Sequence, residues 1–233
     1  MNLLDKEILL VDKPAGLSSF AVVARIRRVL TEQVRTRAIS QGLTPPKRAK
    51  VGHAGTLDPF ATGLLICLLG SGTKKASEFL KLDKKYEATI CLGKTSTTGD
   101  VEGEISDVSN DAPEISEVKA AVESFKGEIL QKVPAYSAVK IEGKRAYDLA
   151  RKGVEVEMPT RKVQIYDIVV VSYEWPELKI SCHVSSGTYI RALGEDIGEK
   201  LGVGGYLTEL RRTQIGEYKV SDAVELSELG IID

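Results

Sequence analysis

The chain has 233 residues and carries 32 lysines and arginines against 33 aspartates and glutamates, a formal net charge of −1. That balance, taken alone, argues against a basic nucleic-acid-binding protein. The total hides two segments of opposite sign, however. Residues 25–50 hold eight basic residues and one acid, a local charge of +7, whereas residues 100–123 hold eight acids and one base, a local charge of −7.

Over residues 1–92 the apolar pattern predicts a strand, a helix, a basic loop, two short helices and a second strand. These elements lie at residues 7–12, 18–30, 36–50, 60–69, 74–82 and 86–92. Ser18 or Ser19 can cap the first helix, whose polar face shows Arg25, Arg27 and Arg28. The loop contains Gly42 and two prolines, which exclude a regular element there.

Beyond the acidic segment the pattern predicts helices, a pair of strands, a further strand and a last capped helix. The helices lie at residues 116–127, 145–152, 190–201 and from about 221, and the strands at 163–173, 179–184 and 206–214. Strands and helices do not alternate in regular βαβ units. The prediction is therefore an α+β fold with a mixed, largely antiparallel central sheet flanked by helices and loops. No linker is visible, so we expect a single domain over residues 1–233.

Rare residues and spacings exclude several classes of protein. The longest apolar stretch, residues 64–69, is far shorter than the roughly 18 residues of a membrane span, and no signal peptide is visible. The three cysteines are dispersed and form no CxxC, which favours free thiols in a reducing cytoplasm. No metal site is expected from two isolated histidines. A phosphate-binding P-loop is excluded because Ala88 stands where its first glycine is required.

Two segments differ in composition from segments that only pack in a hydrophobic core. Residues 52–63 hold three glycines, His53, Asp58 and Pro59. Asp58-Pro59 alone favours a helix cap, and His53 alone a structural residue, but the glycines allow the backbone to approach another molecule closely. Residues 186–196 place Tyr189 and Arg191 where a strand ends and a helix begins, where the simplest interpretation is a buried tyrosine and a surface arginine paired with Glu195.

Together these segments resemble the TruB family of tRNA pseudouridine synthases, and the match runs in order along nearly the whole chain. The motifs are Lys13-Pro14-Ala15-Gly16-Leu17-Ser18-Ser19, Gly52-His53-Ala54-Gly55-Thr56-Leu57-Asp58-Pro59, Lys85-Tyr86, Leu92-Gly93 with Thr98-Gly99-Asp100, residues 134–140, Gly187-Thr188-Tyr189-Ile190-Arg191 and Leu210-Arg211-Arg212-Thr213. The resemblance implies the pseudouridine synthase fold. It also implies isomerisation of uridine to pseudouridine at position 55, in the T-loop of tRNA, by base flipping.

The resemblance further implies a role for each matching position. Asp58 is the catalytic aspartate and Arg191 is its partner. The substrate-binding residues implied are His53, Tyr86, Tyr189, Arg191 and Leu210. The candidate RNA-binding residues are Lys13 and, from the basic segment, Arg35, Arg37, Lys47, Arg48 and Lys50.

The reaction neither oxidises nor hydrolyses its substrate, so no cofactor is expected. The T-arm of tRNA is the expected partner, with no membrane, guide RNA or obligate protein partner. Two features depart from the family pattern. The stretch before His53 is longer than usual, and the chain has no room for the C-terminal RNA-binding domain of PUA type.

Two other functions stay open on the sequence. One is a non-catalytic tRNA-binding and tRNA-folding protein that uses the same cleft. The other is pseudouridylation of a different RNA.

Overall fold

The computed structural model describes residues 1–137, 139–141, 143–147 and 157–230. Its α-helices are α1 (Ser19–Ser40), α2 (Ala76–Leu80), α3 (Ile115–Glu123) and α4 (Ile190–Lys200). Its strands are β1 (Ile8–Lys13), β2 (Val51–Ala54), β3 (Thr62–Leu69), β4 (Lys84–Leu92), β5 (Lys94–Ser96), β6 (Ile105–Asp107), β7 (Gly127–Lys132), β8 (Lys140–Ile141), β9 (Lys144–Arg145), β10 (Thr160–Glu174), β11 (Glu177–Val184), β12 (Gly205–Ile215) and β13 (Tyr218–Lys219). Within this described part, no helix is long and apolar enough to cross a membrane.

The chain forms two compact units. The first comprises Met1–Lys85 and Arg211–Asp233, and the second comprises Tyr86–Leu210. Strands β4 and β12 contribute residues to both. The expectation of one domain over residues 1–233 stays a prediction.

Strand β3 lies at the centre of the first unit and corrects the predicted helix over residues 60–69. It pairs antiparallel with β1 along one edge. On the other edge it pairs antiparallel with β2, and then in parallel with β12 at Thr62 and Gly63. From Gly63 to Leu69 every residue is buried. A strand covered on both faces is continuously apolar, and such a short run does not distinguish strand from helix.

Helix α1 covers this sheet with one face and leaves the other in solvent. Ser18 is its N-cap and accepts a hydrogen bond from the Ala21 amide. Val22, Ile26 and Leu30 are buried in the core beside β1 and β3. The helix continues to Ser40, so the predicted loop over residues 36–50 is wrong in its first part.

The second unit confirms the predicted hairpin of β10 and β11, which pair antiparallel and turn at Glu174 and Glu177. Strand β7 pairs antiparallel with β10, and the hydrogen-bonded order is β12-β4-β11-β10-β7. The parallel pairing of β3 with β12, beside the antiparallel pairings of β1 and β2 with β3 and of β10 with β7 and β11, confirms the mixed, largely antiparallel α+β fold. Helix α4 agrees with the prediction for residues 190–201.

Two other predicted helices, over residues 145–152 and from Ser221 onward, are not found as predicted among the described residues. The final helix from Ser221 is wrong, because the structure has two short 3₁₀ turns at Val220–Asp222 and Ser227–Leu229. Each is a single turn, too short to present an apolar stripe. The predicted helix over 145–152 lies outside the described residues from position 148 onward.

A substitution at Gly63 tests how closely β12 approaches β3. It has φ +101°, and a Cβ there would overlap the Arg212 carbonyl oxygen and lie 2.8 Å from the Arg212 nitrogen. We expect Gly63→Ala to lower the free energy of unfolding by about 2–5 kcal/mol, because strain of ~1–2 kcal/mol at positive φ adds to overpacking of ~1–3 kcal/mol. Denaturant unfolding measures the loss.

Gly42→Ala is the matched control. Gly42 also has a positive φ, +66°, but nothing lies within 4 Å of a Cβ there. Its loss should be only about 1–2 kcal/mol. Equal losses for the two variants would contradict the close approach.

Candidate active site

Asp58 lies in the loop that joins β2 to β3. Pro59 does not begin a helix, so the alternative interpretation of Asp58 as a helix cap is wrong. The Asp58 carbonyl instead accepts from the Ala61 amide at 3.2 Å, and its side chain is half-buried. The loop leaves the β2–β3 hairpin after Ala54, which pairs with Ile66, and reaches β3 at Thr62.

Arg212 on β12 holds the first half of this loop. Its side chain is 1% exposed. The guanidinium donates to the carbonyls of Leu64 at 2.8 Å, Gly55 at 3.0 Å and Thr56 at 3.5 Å. Since a buried charge is tolerated only when it is fully hydrogen-bonded, these carbonyls and the guanidinium require one another. The sequence motif included Arg212, but nothing in it indicated that this charge is buried.

Lys13 holds the second half, and its predicted contact with RNA needs correction. The side chain is 0% exposed, so it offers no surface to RNA. Its ammonium donates to the carbonyls of Pro14 and Leu17 at 2.7 Å and of Pro59 at 3.1 Å. The Gly16 amide adds a bond of 2.8 Å to the same Pro59 carbonyl. The Lys13-Pro14-Ala15-Gly16 turn is therefore joined to the residue that follows Asp58.

Ser19 completes the support of the loop. Its hydroxyl donates to the Leu57 carbonyl at 2.9 Å and accepts from the Leu57 amide at 2.8 Å. Both partners are buried. Residues on both sides of Asp58 are thus fixed by side chains from α1, β1 and β12, which restricts where the carboxylate can lie.

His53 lies on strand β2, before the loop that carries Asp58. It is half-buried, and its Nδ1 is buried without a hydrogen-bond partner among the described residues. Burial, followed by the charge of Arg212, lowers the pKa of the imidazole. His53 is therefore neutral at neutral pH.

In the second unit Arg191 is buried, so the alternative interpretation of it as a surface arginine is wrong. Its side chain is 5% exposed. The guanidinium donates to the carbonyls of Thr98 and Tyr136, each at 2.7 Å, and lies 3.3 Å from the Asp100 carboxylate. Its pairing with Asp58 stays a prediction.

Asp100 is a buried partner of Arg191 that the sequence analysis placed in a motif but not among the candidate site residues. Its side chain is 3% exposed. One carboxylate oxygen accepts from the Thr98 hydroxyl at 2.6 Å and the Glu102 amide at 3.0 Å, while the other faces Arg191. The available signal was its position in the Thr98-Gly99-Asp100 motif, apart from the exposed acids that follow it.

Tyr86, Tyr189 and Leu210 belong to the same unit. Tyr86 on β4 and Leu210 on β12 are each 7% exposed. Tyr189 precedes α4, and the buried Gln131 bonds its amide at 2.8 Å and its carbonyl at 3.0 Å. The Arg161 guanidinium lies 5.7 Å from the Tyr189 ring centroid. Tyr189 and Arg191 are therefore held at the start of α4 by the backbone as well as by their side chains.

The remaining basic candidates are exposed and occupy two places. Arg35 and Arg37 lie on α1, whereas Lys47, Arg48 and Lys50 lie on the segment that follows it. Arg37 forms an exposed ion pair with Asp5 at 3.2 Å.

Glu195, one helical turn after Arg191, makes the stability of this unit depend on pH in a way that can be tested. Its carboxylate lies against Gly99, where an added Cβ would come within 3.0 Å. Burial raises the pKa of Glu195 to about 7, and Arg191 opposes the shift. A raised folded-state pKa means that stability is complete below about pH 4.5 and is lost as pH rises through 7.

We expect Glu195→Gln to remove this dependence. The free energy of unfolding of the variant relative to wild type should therefore rise between pH 5 and pH 8, as measured by urea titration at each pH. Glu217→Gln, at an exposed position in the turn between β12 and β13, should give a flat difference. A flat difference for Glu195→Gln as well would show that the carboxylate is not held protonated.

Comparison with known protein families covers residues 44–231. The family described as TruB family pseudouridylate synthase (N terminal domain) matches residues 44–190. The family described as tRNA pseudouridylate synthase B C-terminal domain matches residues 191–231.

Named relatives agree with these matches. The tRNA pseudouridine synthase B of Corynebacterium diphtheriae is 45% identical over 237 residues, which cover 97% of this chain and 73% of that protein. The protein of the same name in Bacteroides fragilis is 43% identical over 227 residues, covering 97% of this chain and 93% of that protein.

Among solved structures, the Cbf5-Nop10-Gar1 complex contains a similar chain. It has a TM-score of 0.67 and 30% identity, and the match covers 94% of this chain and 52% of that one. This chain therefore spans about half the length of that protein. The family match over residues 44–190 and the relatives above 40% identity establish the conclusion. This chain belongs to the TruB family of pseudouridylate synthases.

Proposed function

We propose that this chain isomerises uridine to pseudouridine at position 55, in the T-loop of tRNA. The observation that carries the proposal is the 45% identity, over 97% of the chain, with a protein named tRNA pseudouridine synthase B. The fixed backbone around Asp58 supports it, because catalysis requires that a reacting group be held in place.

The reaction breaks the bond between N1 of uracil and C1′ of ribose, turns the base and rejoins it through C5. Asp58 is the proposed catalytic residue. Its ionised carboxylate either attacks C1′ or assists loss of the C2′ proton. Burial beside a base favours the neutral acid, whereas an arginine favours the carboxylate and itself stays charged. The proposal gives that role to Arg191, whose guanidinium is fixed by two carbonyls and Asp100.

The target base must leave its stack, at a cost of a few kcal/mol. The proposal assigns Tyr86 to stack on the flipped base, which offsets part of this cost at about 1–3 kcal/mol. Tyr189 and Leu210 contact the base within the pocket. His53 is proposed to displace the target nucleotide, and its neutral ring is suited to stacking.

The proposed substrate is the T-arm of tRNA, recognised mainly by shape and backbone, with the unpaired loop read more closely. No guide RNA or obligate protein partner is included in the proposal. The cytoplasm is the proposed location.

Asp58→Asn tests the proposal. The amide cannot act as nucleophile or base, so we expect pseudouridine formation on an unmodified tRNA transcript to fall below detection while the dissociation constant stays within about threefold of wild type. Chemical mapping of pseudouridine at single-nucleotide resolution measures the first, and filter binding the second.

Two controls show whether the loss of activity is specific to Asp58 and to position 55. Asp111→Asn removes an exposed acid and should react like wild type. A transcript with cytidine at position 55 should stay unmodified. Modification elsewhere would identify another target, and wild type that binds tRNA without forming pseudouridine would support the non-catalytic alternative.

A further inference from the structure

We propose that a groove on the exposed face of α1 binds the phosphate backbone of the RNA substrate. This inference rests on the proposed function, because it takes the substrate to be RNA. The groove has a volume of about 590 Å³. Residues of α1 line it together with Arg48 from the segment that follows the helix.

The groove follows one face of the helix. Ala24, Arg27, Arg28, Thr31 and Arg35 line it and recur at intervals of three or four residues. The opposite face is the buried one described above. Arg27 and Arg35 are eight residues apart, about 12 Å along the axis at 1.5 Å per residue. This spacing fits an extended polyanion better than a single small ion.

The charges in the groove are unbalanced. Four arginines line it against one acid, Glu32. Within the described part of the chain, no ion pair joins Arg27, Arg28, Arg35 or Arg48 to a carboxylate. Burial, followed by the nearby charge of Arg48, lowers the pKa of Arg27. Two like charges placed this close repel each other. A phosphodiester between them would relieve this repulsion and accept hydrogen bonds from both.

Hydrogen bonds fix the two sides of the groove. The Thr31 hydroxyl accepts from the Ala49 amide at 3.1 Å, which places the neighbouring Arg48 beside α1. Arg27 donates to the Val51 carbonyl at 2.9 Å. The arginines are therefore presented by an ordered surface, which lowers the entropic cost of binding.

The same contacts relate the groove to the catalytic loop. Val51 begins β2, which leads to Asp58 seven residues later, and seven residues span at most about 25 Å. Phe20, 66% exposed, lies on the groove side of α1 with the Arg27 guanidinium 5.9 Å from its ring centroid. An RNA with its target nucleotide at Asp58 is thus within reach of the groove, and Phe20 offers it an aromatic surface.

The inference changes the set of RNA-binding residues expected from sequence. Arg35 and Arg48 stay in it, and Arg27 and Arg28 join it. Arg37 does not line the groove and pairs with Asp5 instead.

The test compares two double variants that lose the same charge. Arg35→Gln/Arg48→Gln changes the groove, and Lys6→Gln/Lys81→Gln changes exposed lysines elsewhere. Arg27 is left intact because its bond to Val51 supports the fold. The measurement is the dissociation constant for an unmodified tRNA transcript between 50 and 300 mM KCl, with melting curves to confirm folding.

The groove variant should bind about tenfold more weakly at the lowest salt. The slope of its log affinity against log salt should be smaller by about 1.4–1.8, for two lost phosphate contacts. The lysine variant should shift the slope by less than about 0.5. Equal slopes for the two variants would overturn the proposal that the groove binds RNA. Unchanged tRNA affinity in the groove variant would overturn it too, and would leave an acidic protein as the partner to test.

Pseudouridine formation by wild type is measured on the same transcript. If wild type forms none, the proposed function fails whatever the slopes are. If it forms pseudouridine and the two slopes are equal, only the groove proposal fails.

Discussion

The loop that carries Asp58 has no regular secondary structure, and buried cations bonded to its carbonyl groups hold it in place. Arg212 bonds Gly55 and Thr56 before the aspartate, and Lys13 bonds Pro59 after it. Removing a charge from water costs several kcal/mol, and hydrogen bonds to carbonyls that would otherwise lack donors offset this cost at both positions. The cost is understandable if the two cations fix a catalytic carboxylate, because main-chain carbonyls in an irregular loop need donors that the protein itself must supply.

The pairing of β2 and β12 on one edge of β3 explains why Arg212 reaches this loop. Strand β2 pairs with β3 as far as Ala54 and Ile66, and β12 joins the same edge of β3 at Gly63. The loop leaves the hairpin between these two points, so a side chain of β12 can reach the carbonyls of the loop. Gly63 permits this pairing because any side chain there would overlap the Arg212 backbone. The glycine and the arginine, far apart in sequence, thus form one structural feature.

Patterns with a clear period could be predicted from the sequence, and these include β4, the β10–β11 hairpin and α4. The apolar run of β3 could not be assigned, because burial on both faces removes the period. The end of α1 was missed because its last turns are mostly exposed and polar. At the candidate site, motifs singled out Asp58 and Arg191, whereas the structural roles of Asp100, Lys13 and Arg212 depend on burial and partners. A single charged residue in a sequence does not indicate whether it lies in solvent or in the core.

The most direct test of this account is amide hydrogen exchange at Leu57 in Arg212→Lys, with Arg211→Lys as control. Lysine keeps the charge of residue 212 but cannot donate to three carbonyls in the same geometry. The Leu57 amide, bonded to Ser19, should then exchange at least about tenfold faster than in wild type, and pseudouridine formation should slow with it. Arg211→Lys, which retains a donor to Asp12, should change neither. Unchanged exchange and an unchanged rate in Arg212→Lys would contradict the claim that this arginine holds the loop that carries Asp58.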